Sequence, residues 1–156
     1  GAGKVGQTLA AQLARENYNV TVIDTDSVVL DRLVNTYDIL GVEGNGANLD
    51  IQREAGVANA DLLIATTDSD EINMIACLVA KKLGAARTIA RVRNPEYEKQ
   101  LRFMRRELGL TMAINPEKEA ATEMTRLLLY PGFFKRDSFA KQTSRTQLTM
   151  VWAAAQ

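Results

Sequence analysis

Apolar residues along this chain switch repeatedly between two periods. Val5, Leu9 and Leu13 recur at helical spacing as far as Arg15, and Asn17 to Asn19 interrupt them. The next run, Val20-Thr21-Val22-Ile23-Asp24, is β-rich and apolar on both faces, the composition of a parallel strand covered by helices above and below. Helical spacing returns from Ser27 to Tyr37, with Val29, Leu30, Leu33 and Val34 inward, and a short strand from Ile39 to Val42 closes at Gly44-Asn45-Gly46. A short helix over Leu49 to Glu54 follows, then a buried strand over Asp61 to Thr66 and a long helix over Ser69 to Leu83 that is apolar on nearly every side. Arg87 to Val92 reads as a strand, Pro95 opens a polar helix through Glu107, and Leu110 to Ile114 precedes a last helix begun by Pro116.

Such alternation with short links predicts right-handed βαβ crossovers, hence an α/β, Rossmann-type, doubly wound parallel sheet. Gly1 already belongs to a motif that ordinarily follows a strand, so the first strand is expected to be trimmed, and counting it gives six. Residues 1–132 form the predicted nucleotide-binding domain. Beyond Pro131-Gly132 the chain is polar and basic, with Lys135, Arg136, Lys141 and Arg145 and only a weak strand-like stretch near Leu148 to Trp152. Residues 133–156 are therefore expected to be a tail or linker without an assigned role.

Composition narrows the function. The 156 residues, 46% hydrophobic and 24% charged, suit one α/β domain of ordinary core size. Nineteen basic residues balance nineteen acidic ones, so no global field favours nucleic acid or an anionic membrane, and any anion site must be local. The single cysteine, Cys77, lies in an apolar stretch and reads as a small core residue. No apolar run approaches the roughly 20 residues that span a bilayer. The chain has no histidine, which removes Ser-His-Asp catalysis and His/Cys metal centres; no catalytic and no metal-ligating residues are assigned.

The local anion site is predicted at the start. In Gly1-Ala2-Gly3-Lys4-Val5-Gly6 the first glycine permits a tight turn, the second lets phosphate approach the backbone, and the third lets helix pack on strand. Unpaired amides and the helix dipole then meet a pyrophosphate, with Lys4 as an added cation. Asp24 ends the following strand, where a carboxylate can accept hydrogen bonds from a ribose diol and would repel a 2′-phosphate. This favours NAD(H) or ATP/ADP over NADP, while Asp26 reads as the helix cap. Further polar residues cluster where later strands end: Asn45, then Thr66, Thr67 and Asp68, then Arg91 and Arg93, with Glu117 beyond. Each also admits a capping or loop reading.

The glycine motif together with VTVID, GNGAN, DLLIATTDSDEINMIAC, IARVRNPEY and INPE resembles the regulatory nucleotide-binding domain of Trk-type potassium uptake systems, the KTN or RCK domain. The resemblance runs from Gly1 to about Gly132. It implies that Gly1 to Val5 hold the phosphates, Asp24 the ribose, Thr67 and Asp68 the middle of the nucleotide, and Arg91 a second polar anchor, with Asn45 near the base. It implies that Glu117 stands where some relatives help hold a cation beside the phosphates. It further implies a nucleotide ligand, NAD(H) or ATP/ADP, a membrane potassium channel or transporter subunit as partner, a homodimer or larger ring, and a cytoplasmic place against the inner face of the membrane.

Catalysis has little room in this reading. The Rossmann layers use almost the whole chain, and Lys81, Lys82 and Tyr97, the nominal proton carriers, lie in polar helical surroundings. A fragment of an NAD-dependent oxidoreductase is the alternative. On the last helix Ala120, Ala121, Met124, Leu127 and Leu128 form an apolar stripe, for packing on its own sheet or on another subunit. Arg102, Arg105 and Arg106 read as a solvated face.

Overall fold

A computed structural model describes the backbone of residues 3–129 and 147–151 and the side chains of residues 5–126 apart from residue 98. Helices α1 (Gly3–Arg15), α2 (Ser27–Thr36), α3 (Leu49–Glu54), α4 (Asp70–Leu83), α5 (Pro95–Met104) and α6 (Pro116–Leu129) alternate with strands β1 (Asn19–Asp24), β2 (Ile39–Glu43), β3 (Leu62–Ala65), β4 (Arg87–Arg91) and β5 (Met112–Ile114). A 3-10 turn lies at Val57–Asn59, and β6 spans Gln147–Val151. The six strands form one sheet in the order β2-β1-β6-β3-β4-β5, every pair parallel. This is the doubly wound α/β architecture anticipated from the alternation.

The helices begin where their capping chemistry says. Asp26 accepts from the Val28 and Val29 amides, Asn48 from Asp50 and Ile51, Ser69 from Ile72, and Asn94 from Glu96 with Pro95 just behind it. Each such cap contributes about 1 kcal/mol by satisfying amides that have no partner within their own helix. At the far end of α4, Gly84 adopts φ 128°. A Cβ there would stand 2.8 Å from the Ala58 carbonyl oxygen.

Two apolar clusters cover the two faces of the sheet. Leu63, Ala65 and Ala90 pack with Ala76, Cys77, Ala80 and Leu101 on the α4 and α5 side. Val20, Val22 and Ile64 pack with Ala10, Leu30 and Leu33 on the α1 and α2 side. Burial pushes the Cys77 thiol up to about 12, which makes it an inert core group. Among the described residues no helix is long and apolar enough to cross a membrane.

Two expectations need correction. The boundary at residue 132 does not separate the tail from the domain, because residues 147–151 form the middle strand, paired with β1 on one side and β3 on the other. Val34 is exposed rather than buried, although it lies over the edge strand β2, because the residue beneath it, Gly41, has no side chain to cover it. Of the two readings offered for the stripe on α6, docking on its own sheet is not realised along the described side chains: Glu117 to Arg126 are all exposed, Met124 at 66%. Residues 130–146 and 152–156, including Lys135, Arg136, Lys141, Arg145 and Trp152, lie outside the described residues.

Candidate functional site

Side chains alternate across a strand, so the two clusters fix which way the strand ends face. Val20 and Val22 pack on the α1 and α2 side, as do Ile64 and Ile89. Two residues further on, Asp24, Thr66 and Arg91 share that side. The register puts them on one level: Ile23 pairs with Val151, Val151 with Ala65, and Ala65 with Ala90. With parallel strands about 4.8 Å apart, Thr66 and Arg91 are neighbours and Asp24 stands about 10 Å from Thr66. The three polar residues therefore line the carboxyl rim of the sheet at its centre. Here the chain order reverses, with β2 added beyond β1 on one side and β4 and β5 beyond β3 on the other, and open α/β sheets take their ligands at such a point.

Arg91 is the most demanding of the three. Its side chain is 4% exposed. Nη2 donates to Glu117 Oε1, whereas Nε and Nη1 are buried with no hydrogen-bond partner among the described residues. Leaving charged donors dry and unpaired costs several kcal/mol in general, so the arrangement has a standing requirement for an acceptor. Thr66 adds a second unfilled group, since its Oγ1 is buried and also lacks a partner among the described residues. Partial burial, the largest single influence, acts to raise the Glu117 pKa, but the Arg91 hydrogen bond, a backbone hydrogen bond and the charges of Arg91 and Arg93 together hold the carboxyl below its ordinary value.

Asp24 is fully buried. Its Oδ1 accepts from the Asp26 amide at 2.9 Å, and its carbonyl accepts from the Gly44 amide at 2.8 Å. One carboxylate oxygen thus shapes the turn into α2, where Asp26 performs the capping. Gly3 opens α1 and Gly6 is buried behind it, with Val5 exposed in the first turn. Gly1, Ala2 and the Lys4 side chain lie outside the described residues.

For the remaining candidates the structure realises local roles. Asn45 Oδ1 accepts from the Ala47 amide at 2.9 Å. Thr67 Oγ1 donates to the Ser69 carbonyl and accepts from the Ser69 amide, and the Asp68 carbonyl accepts from Arg93 Nη2. These groups build the loops around the crevice. The proton-carrier candidates point elsewhere. Lys81 Nζ donates to the Ala85 and Ala86 carbonyls at the opposite rim, and Tyr97 donates to Glu71 Oε1.

Three residues escaped the sequence reading. Asp70 Oδ2 accepts from the Arg93 and Asn94 amides, both at 2.8 Å. Asn73, with no exposure, takes the Thr67 amide on Oδ1 and donates from Nδ2 to the Thr67 and Arg91 carbonyls. Gln52, equally buried, donates to the Gly46 and Ala76 carbonyls. The available signal was polar residues three apart at the head of an otherwise apolar helix, which puts Asp70 and Asn73 on one face. Among the described residues no group of His, Cys, Asp and Glu could hold a metal. Chemically, the rim offers buried donors, a cationic fork and a helix N-terminus to an anion, with a carboxylate one strand beyond.

Comparison with known proteins agrees with this fold. The model of the TrkA-N domain family matches residues 1–116. The chain is 41% identical to the Trk system potassium uptake protein TrkA of Haemophilus influenzae, over 98% of this chain and 34% of that protein. It spans about a third of the length of this relative and of the Trk system potassium uptake protein TrkA of Vibrio alginolyticus. Among solved structures it is similar to the TrkA-N domain of the inner membrane protein ybaL from Escherichia coli, with 26% identity and a TM-score of 0.69 over 82% of this chain and 92% of that one. A fold likeness extends to the GsuK channel. Bound to NAD it gives 24% identity and a TM-score of 0.59 over 70% of this chain and 19% of that one. Bound to ADP it gives 23% identity and 0.56 over 71% and 28%.

Proposed function

The chain belongs to the TrkA-N domain family, and we propose that it binds NAD(H) or ATP/ADP as a regulatory element of potassium uptake and catalyses no reaction of its own. One observation carries this reading: the buried guanidinium of Arg91, two of whose nitrogens lack a partner among the described residues, stands beside the equally unpartnered Thr66 hydroxyl on the central rim. A diphosphate supplies the acceptors both lack, and the α1 N-terminus supplies amides and a positive dipole end for the same charge. Asp24, on the same level two strands away, is placed for a ribose diol, while a 2′-phosphate would meet its carboxylate. Gly1 to Gly6 would lie along the phosphates, with Asn45, Thr67 and Asp68 forming the loops that border the nucleotide. Glu117 would border it too, by holding Arg91.

The relatives' names and the channel structures with NAD and ADP support a membrane potassium channel or transporter subunit as partner, at the inner face of the membrane. The apolar stripe Ala120, Ala121 and Met124, uncovered on α6, supports assembly as a dimer or larger ring. In such an assembly a ligand shifts the balance between two arrangements only by the difference in its affinity for them, and the shift is reciprocal. Calorimetric titration with NAD⁺, NADH, ATP and ADP tests the reading. At least one should bind saturably, and Arg91→Ala should weaken it about a hundredfold, the worth of two charge-assisted hydrogen bonds. Failure of all four to bind, equal affinity for Arg91→Ala, or turnover of a hydride-transfer substrate would overturn it.

A further inference from the structure

Resting on the nucleotide reading, we propose that Asn73 is a positioning residue that sets the two unfilled donors of the rim, Thr66 and Arg91, in register with one another. Thr66 lies just past the end of β3 and Arg91 is the last residue of β4, beyond the final β3–β4 pair of Ala65 with Ala90, so that ladder does not tie them to each other. Asn73 closes that gap from α4. Its Oδ1 receives the Thr67 amide at 2.7 Å, and its Nδ2 donates to the Thr67 carbonyl at 3.1 Å and to the Arg91 carbonyl at 2.8 Å. One side chain thus holds the residue after Thr66 by both of its backbone groups and Arg91 by its own. The amide orientation follows from its partners, because a flipped group would face two carbonyls with an oxygen.

The position is fully buried, where an aliphatic residue would serve packing equally well. What the amide adds is connection between two loops. One turn earlier on the same helix, Asp70 performs the parallel task two and three residues further along, gathering the Arg93 and Asn94 amides. Donors held in place before the ligand arrives lose no freedom when it binds. Asn73 touches no ligand atom in this scheme and acts through the backbone of its neighbours.

A double-mutant cycle in the full chain, titrated with ADP and with NAD⁺, separates this role from a merely structural one. Asn73→Asp keeps the shape but turns an oxygen toward two carbonyls. It should weaken binding at least tenfold in the otherwise unaltered chain and less than about twofold in the Arg91→Ala background, because coupled residues are not additive. Should Asn73→Asp fail to fold, Asn73→Ala takes its place in the same cycle. Equal fold-losses in both backgrounds, or no loss in the first, would overturn the role and leave the nucleotide site standing. No binding by the unaltered chain would overturn both.

Discussion

The two rims of the sheet treat buried polar groups in opposite ways. At the amino rim of β4, Thr88 donates from its hydroxyl to the Gly109 carbonyl at 2.8 Å and from its amide to the Thr111 hydroxyl at 3.0 Å, and Lys81 spans the Ala85 and Ala86 carbonyls. Every polar group named there has its partner within the fold. At the carboxyl rim, Thr66 Oγ1 and two nitrogens of Arg91 are as well buried but have none among the described residues. Burial without pairing destabilises, so the second rim gives up stability that the first keeps. The difference teaches where the fold holds capacity in reserve for something outside itself.

Substitutions can separate the two rims. The largest effect should come from Gly84→Ala beside the amino rim. It places a Cβ against the Ala58 carbonyl and forces a side chain onto positive φ, at a cost of about 2–3 kcal/mol of stability. Chemical denaturation should register that loss, while nucleotide affinity of the folded fraction stays unchanged. Next comes a matched pair. Thr88→Val should lose about 1–2 kcal/mol by stranding the Gly109 carbonyl and leave affinity alone. Thr66→Val removes a hydroxyl that no described group uses, so it should leave stability level or raised and weaken the nucleotide severalfold. If both threonines behaved alike in both measurements, the contrast between the rims would be wrong.

The smallest effect lies away from either rim. Tyr97 donates to Glu71 Oε1 and Ser69 to Oε2, and these bonds, Tyr97 first, lower the Glu71 pKa from 4.5 to about 2. A carboxyl depressed by folding contributes stability that is present above its unfolded pKa and fades as pH falls through the folded one. Tyr97→Phe should therefore be slightly less stable than the parent at neutral pH. The gap should close between about pH 4.5 and 2, as read by paired melts across that range. The exposed setting keeps the difference small.

How far the sequence could be read follows from the range of each interaction. Strands, helices and caps came through because they rest on neighbours a few positions apart, as with Asp26 and the Val28 and Val29 amides. Asp24, Thr66 and Arg91 were legible as a group because strand ends converge on one rim in any parallel sheet. Arg91's need for a partner was not, since it depends on burial that no local pattern reveals. Asn73 and Asp70 hid in a helix read as almost wholly apolar, and their purpose appears only with loops 18 and 23 positions away. The tail strand lacked any local cue for its place, because Gln147 finds its partners at Asn19 and, through Leu148, at Leu62.

That central strand has a consequence for how the chain is made. Among the described residues, β2-β1 and β3-β4-β5 are joined only through residues 147–151, and until that strand is in place each half-sheet has an inner edge that invites association with other nascent chains. Joining them is a single late event of very high sequence separation, which sets a slow final step. A premature stop between Leu129 and Gln147 would leave every described helix encoded and remove the strand that pairs with both halves.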